Sequence, residues 1–196
     1  MKKIAVFLLT AVLCAGLLTG CGTSGGRSSD EVIGEESGLD PSGMVHLEGA
    51  DAVPAFMEEV YGGVAQDLLP DSIQTTELDV YDADLLEYHT GLINLTGEEA
   101  VWLSESFTGS DAYSAVYIVT NDEADVPALQ EQLMENINPA KWVYMSAQKQ
   151  ISAVFGKDIF FVMGAEDTAD EVFDSARDAA AARDMSVSGA ETKNTG

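Results

Sequence analysis

This 196-residue sequence predicts an α+β fold: a mainly antiparallel sheet of about five strands, with helices packed on one face, in a single domain over residues 48–183. Three observations lead there. Stretches with helical period stand beside stretches with β period, and several β-like runs are adjacent in sequence. No repeat of fixed period occurs, which excludes a solenoid. The expected order is α-β-β-β-α-β-β-α, with the second face of the sheet open.

Each element has its own signal. Val53, Phe56, Met57, Val60, Tyr61, Val64 and Leu68 recur at helical spacing, with Asp51 as cap, Pro54 in the first turn and Pro70 as stop. Gly62-Gly63 inside that run costs about 1 kcal/mol per residue relative to alanine, so the helix bends or breaks there. Leu86, Tyr88, Thr90 and Leu92 alternate with Glu87, His89 and Gly91, which predicts a half-buried strand. Val101, Leu103, Glu105 and Phe107 alternate less cleanly, and Ala115–Val119 is a continuous β-branched and aromatic run suited to a central strand. Val126, Leu129, Leu133, Met134 and Ile137 mark a second helix, capped by Asn121 or Asp122 and stopped by Asn138-Pro139. Gln150–Phe155 and Asp158–Met163 flank Gly156-Lys157, a pair suited to a two-residue type II′ hairpin. The last helix runs from about Asp167 to Arg183 on Val172, Phe173, Ala176, Ala179 and Ala180. Residues 184–196 are polar and small and are expected to be a disordered tail.

Charge narrows the function classes. The chain carries 34 acids against 9 Lys and Arg, and no Lys or Arg stands between Arg27 and Lys141, an interval that holds 25 Asp and Glu. Nucleic acid as a partner is excluded, because binding needs cations to displace counterions from phosphate. Electrostatic docking on anionic lipid is disfavoured for the same reason. Basic partners and cations are attracted.

The first residues report location. Lys2 and Lys3 precede an apolar run from Ile4 to Leu18, which is shorter than a stable membrane span. Leu18-Thr19-Gly20-Cys21 closes the run and resembles the lipobox of bacterial lipoproteins. The resemblance implies a signal peptide over residues 1–20, removed by cleavage, and a diacylglyceryl group on the Cys21 thiol. Two acyl chains, at about 0.8 kcal/mol per buried methylene, would hold the chain at the membrane. Cys14 would leave with the signal and Cys21 would be modified, so no disulfide is expected. Removing Lys2 and Lys3 leaves 34 acids against 7 bases, a formal charge of −27. Residues 21–47 are then the lipidated cysteine and an acidic Gly/Ser-rich tether, too poor in apolar content to order itself. As a flexible coil it reaches on the order of 25 Å.

The lipobox, the tether, the Gly109-Ser110-Asp111-Ala112 turn before the Ala115–Val119 strand, the following helix and the Val154–Met163 hairpin together resemble a family of small bacterial lipoproteins. That family is known as a domain of unknown function and is found mostly in clostridia-like Gram-positive bacteria. The likeness covers about residues 50–175. A glutamate usual before the central strand is replaced here by Tyr113. The resemblance implies no catalytic residue.

The search for chemistry finds little. Asp79, Asp82 and Asp84 crowd a turn, but their spacing is not that of a calcium loop and the required glycine is missing, so no metal site is expected. His46 and His89 are too far apart in sequence and have no free cysteine to join them, which disfavours zinc. His89 has no nucleophile elbow in reach, so no catalytic residue, no cofactor and no enzymatic activity are predicted, and a hydrolase ranks third. Trp142 and Tyr144, beside Lys141 and Lys149, form the one mildly basic and aromatic patch and are the candidate binding residues. Packing against the core is the competing reading for both. The expected function is a membrane-anchored extracytoplasmic lipoprotein of the cell envelope, a non-catalytic module that binds an envelope protein or a small solute. The alternative is a cation-binding or transport-accessory lipoprotein that uses its acidic surface.

Overall fold

The computed structural model describes residues 45–93, 95, 100–106, 108 and 111–195. The lipobox with Cys21, the tether through residue 44, Phe107 and the Gly109-Ser110 pair lie outside the described residues. In chain order the elements are α1 (Ala52–Gly62), β1 (Ile73–Leu78), α2 (Ala83–Thr90), β2 (Ala100–Ser106), β3 (Ser114–Val119), α3 (Val126–Asn136), β4 (Lys149–Phe155), β5 (Asp158–Gly164), α4 (Glu166–Ala181) and β6 (Val187–Asn194). All strands join one antiparallel sheet in the order β1-β2-β3-β5-β4-β6. The α+β class and the antiparallel sheet are as expected, with six strands.

Two crossovers explain the layers. β3 reaches β4 through α3, and β5 reaches β6 through α4, each stepping over one intervening strand in the same lateral direction. The two starting strands are antiparallel, so one right-handed sense for both connections sends their helices to opposite faces. The core is divided accordingly. On one face Tyr113, Ala115, Tyr117, Ile151, Ala153, Phe155, Phe160 and Val162 pack with α1 and α4. On the other Val101, Leu103, Val116, Ile118, Ile159, Phe161 and Met163 pack with Leu86 of α2 and Leu129, Leu133 and Met134 of α3. Helices therefore lie over both faces and not over one as expected, and the central strands β3, β4 and β5 are buried nearly throughout.

Three sequence expectations are corrected. The alternating run at Leu86–Leu92 is mostly helix α2. Its buried residues Leu86 and Thr90 are four apart, which suits a helix as well as alternation suits a strand. The caps decide: Asp82 Oδ1 accepts from Leu85 N at 3.0 Å, and Gly91 closes the helix at φ +72°. The tail expected to be disordered contains β6, which pairs with β4 from Lys149↔Asn194 to Phe155↔Val187. Its side chains are exposed apart from Val187, so an edge strand held by backbone pairing left no apolar signal. The domain also begins before residue 48. Leu47 N donates to Asp158 Oδ2 at 3.1 Å, and Val45 lies over the hairpin turn. β1, at the opposite edge, is an addition to the expected order.

The hairpin itself forms at the expected place. Gly156 has φ +62°, and Phe155 faces Asp158 across the turn. A Cβ on Gly156 would lie 2.1 Å from Val45 O, so glycine is required there for conformation and for space.

Candidate functional site

The first cation after the long acidic interval is spent inside the fold. The Lys141 side chain is 1% exposed and its ammonium pairs with Glu105 Oε1 of β2. It also donates to Ser114 Oγ at 3.3 Å and to His89 O at 3.5 Å, and it lies 5.3 Å from the centre of the Trp142 ring. His89 Nδ1 stands 3.6 Å from Glu105 Oε2. Burial alone would raise the Glu105 carboxyl, but the His89 contact, the Lys141 ammonium and Ser114 hold it at about 2. Burial pushes the Lys141 ammonium down, and Glu105 opposes that shift. Ser114 is wholly buried and Lys141 nearly so, so this group of side chains is a tie between α2, β2, β3 and the loop after α3.

A second buried carboxylate, Asp158, is satisfied by hydroxyl, amide and imidazole partners. It accepts from Tyr117 OH at 3.0 Å, Thr120 N at 3.0 Å and Leu47 N at 3.1 Å, and it meets His46 Nδ1 at 2.8 Å. His46 therefore fastens the segment where the chain enters the domain. The two histidines face different carboxylates, His46 on Asp158 and His89 near Glu105. Asp79, Asp82 and Asp84 are a turn and a helix start: Asp79 Oδ1 accepts from Tyr81 N, Asp82 caps α2, and Asp84 lies in its first turn. Among the described residues no three His, Cys, Asp or Glu side chains are grouped to hold a metal ion.

The two candidate binding residues separate. Trp142 is half-buried against the α2/α3 core, while Tyr144 is fully exposed, beside the exposed Val143. The turn that carries them is tight, with Trp142 bridged to Met145 and Tyr144 at φ +66°. The patch is not basic at its surface. Lys141 is buried, and Lys149 lies in β4 with its ammonium 2.7 Å from Asp170.

What the sequence did not single out lies next to this turn. Tyr88 OH donates to Lys141 O at 3.1 Å, so the turn rises beside α2. Of the large apolar side chains exposed among the described residues, all but Val45 belong to α2, its flanks or this turn: Tyr81, Leu85, Tyr88, Ile93, Val143 and Tyr144. Leu85 and Tyr88 are spaced i, i+3 on one side of α2, and Tyr81 stands just before the Asp82 cap. A depression of about 680 Å³ separates this side of α2 from α3, with Tyr88 and Ile93 as apolar walls and Asp84, Glu87, Gln132 and Asn136 as polar ones. A second, of about 410 Å³, lies on the other side of the turn between Met145, Leu68, Tyr113 and the start of α4. Reading Leu86–Leu92 as a strand concealed this pairing, because a strand would put Leu85 and Tyr88 on opposite faces.

No protein-family model, no curated protein and no solved structure matches the chain.

Proposed function

We propose that this protein is a lipid-anchored extracytoplasmic binding module of the bacterial cell envelope, tethered through Cys21 and docking partners through the face formed by α2 and the 142–145 turn. The observation that supports the binding role is the concentration of exposed Tyr, Leu, Ile and Val side chains on that face. Scattered exposed apolar residues carry no meaning; their concentration on one helix, its flanks and a neighbouring turn, beside a depression, supports a recognition role. The anchoring half rests on the Leu18-Thr19-Gly20-Cys21 motif. On this reading the ligand meets side chains and no bond is made or broken.

The test of the anchor is direct. The mature protein from its membrane fraction should begin at residue 21 and carry the mass of a diacylglyceryl group. Cys21→Ala should send the protein to the medium or leave it uncleaved. An unmodified Cys21 in the native protein overturns the anchoring. The cation-binding alternative would draw on the acidic groove lined by Glu59, Glu171, Asp174 and Asp178 between α1 and α4. A saturable rise in melting temperature with calcium at constant ionic strength would favour it.

A further inference from the structure

We infer that the face formed by α2 and the 142–145 turn takes a lysine- or arginine-bearing, partly apolar segment of a partner polypeptide, with one basic side chain seated in the depression between α2 and α3. The inference rests on the binding role proposed above and names the chemistry of its partner.

Charge selects the occupant. Asp79, Asp82, Asp84 and Glu87 stand on and around the apolar face, whereas Lys141 is buried and already paired with Glu105, and Lys193 donates to Met134 O of α3 without lining the depression. The surface is therefore apolar side chains in an unbalanced negative field. A second copy of the same face would bring these carboxylates against their own images, a repulsion that disfavours self-association. Anionic lipid and phosphate-rich polymers are repelled in the same way. A cationic segment gains twice, because its charge is attracted and its apolar side chains cover Leu85, Ile93 and Tyr144.

The depression supplies the fit. Asp84 and Glu87 are acceptors on one wall, while Gln132 and Asn136 offer amide oxygens on the other. Tyr88 presents its ring beside them, and an ammonium or guanidinium over an aromatic face adds attraction to that of the carboxylates. The lining contains no cation to compete. Long basic side chains also lay their methylene stems on apolar surface, here Tyr88 and Ile93.

The experiment uses the full-length chain in neutral detergent and a labelled peptide of about twelve residues with Lys and Leu at helical spacing. Asp84→Asn/Glu87→Gln should weaken binding at least about threefold more than Glu171→Gln/Asp178→Asn, which removes the same charge from α4. All four residues are exposed, so the variants should fold. Ile93→Ser should also weaken binding, and a peptide with Glu in place of Lys should not bind. A smaller difference between the two double variants would show generic attraction to an acidic protein and overturn the site. Spermidine displacing the peptide as tightly as unlabelled peptide does would overturn the polypeptide class in favour of a small cationic solute. Either result leaves the mass of residue 21 untouched, so failure here is separate from failure of the anchoring.

Discussion

The two faces of the sheet solve the same burial problem differently. Beneath α1 and α4 the core is aromatic and closed. Phe56 meets Tyr117, Phe155 and Phe160 with ring centres 5.4 to 6.4 Å apart, and Ala176, Ala179 and Ala180 let α4 approach closely. Its buried carboxylate, Asp158, is satisfied by hydroxyl, amide and imidazole donors. Beneath α2 and α3 the core is mostly aliphatic, its carboxylate needs a buried lysine, and large apolar side chains remain outside on α2. The comparison teaches that one face is closed by aromatic and alanine packing, whereas the other leaves large apolar side chains of α2 exposed, and the proposed binding role draws on these.

Breaking the closed face should cost most. Phe160→Ala removes a wholly buried ring that contacts four other aromatics. A loss of about 3–5 kcal/mol in denaturant unfolding is expected. A loss under about 1 kcal/mol would mean that the aromatic cluster does not carry this face.

The ion pair on the other face comes next. Lys141→Met leaves Glu105 without its cation and should cost about 3 kcal/mol at neutral pH, with much of it recovered when Glu105→Leu is added. The sign with pH follows from the lowered Glu105 carboxyl. Its stabilisation is present above its ordinary value of 4.5 and is lost as pH falls toward about 2. In Lys141→Met that acid-side loss should shrink, which stability curves between pH 5 and 2 would show.

Much of the closed face was legible in the sequence, because Val53–Val60, Ala115–Val119, the Gly156 hairpin and the alanine stripe of α4 carry unambiguous periods or turn chemistry. α2 was not, since Leu86, Tyr88, Thr90 and Leu92 satisfy a period of two while Asp82 and Gly91, the true signals, are short-range caps. β6 was not, because its pairing lies in the backbone and its side chains are polar. Of the two candidate binding residues the sequence pointed to, Tyr144 is exposed and Trp142 packs against the α2/α3 core, while the exposed Leu85 and Tyr88 of α2 could not be seen as one face while α2 was read as a strand.

Gln150 sharpens the contrast at smaller scale. It is wholly buried on the α3 side of β4, and its amide has no hydrogen-bond partner among the described residues. Gln150→Met should therefore raise stability by about 1 kcal/mol, read as a shift in the denaturant midpoint. A loss of similar size would show that the amide is satisfied in the native protein.

The central claim is that the apolar side chains of α2 and the 142–145 turn serve binding and not folding. Its most direct test is to measure unfolding and peptide affinity on one variant, Leu85→Ser/Ile93→Ser/Tyr144→Ser, in the full-length chain. Three exposed positions should together cost less than about 2 kcal/mol, while affinity for the Lys/Leu peptide should fall at least about tenfold. A larger loss of stability, or an affinity that stays within that factor, would contradict the account.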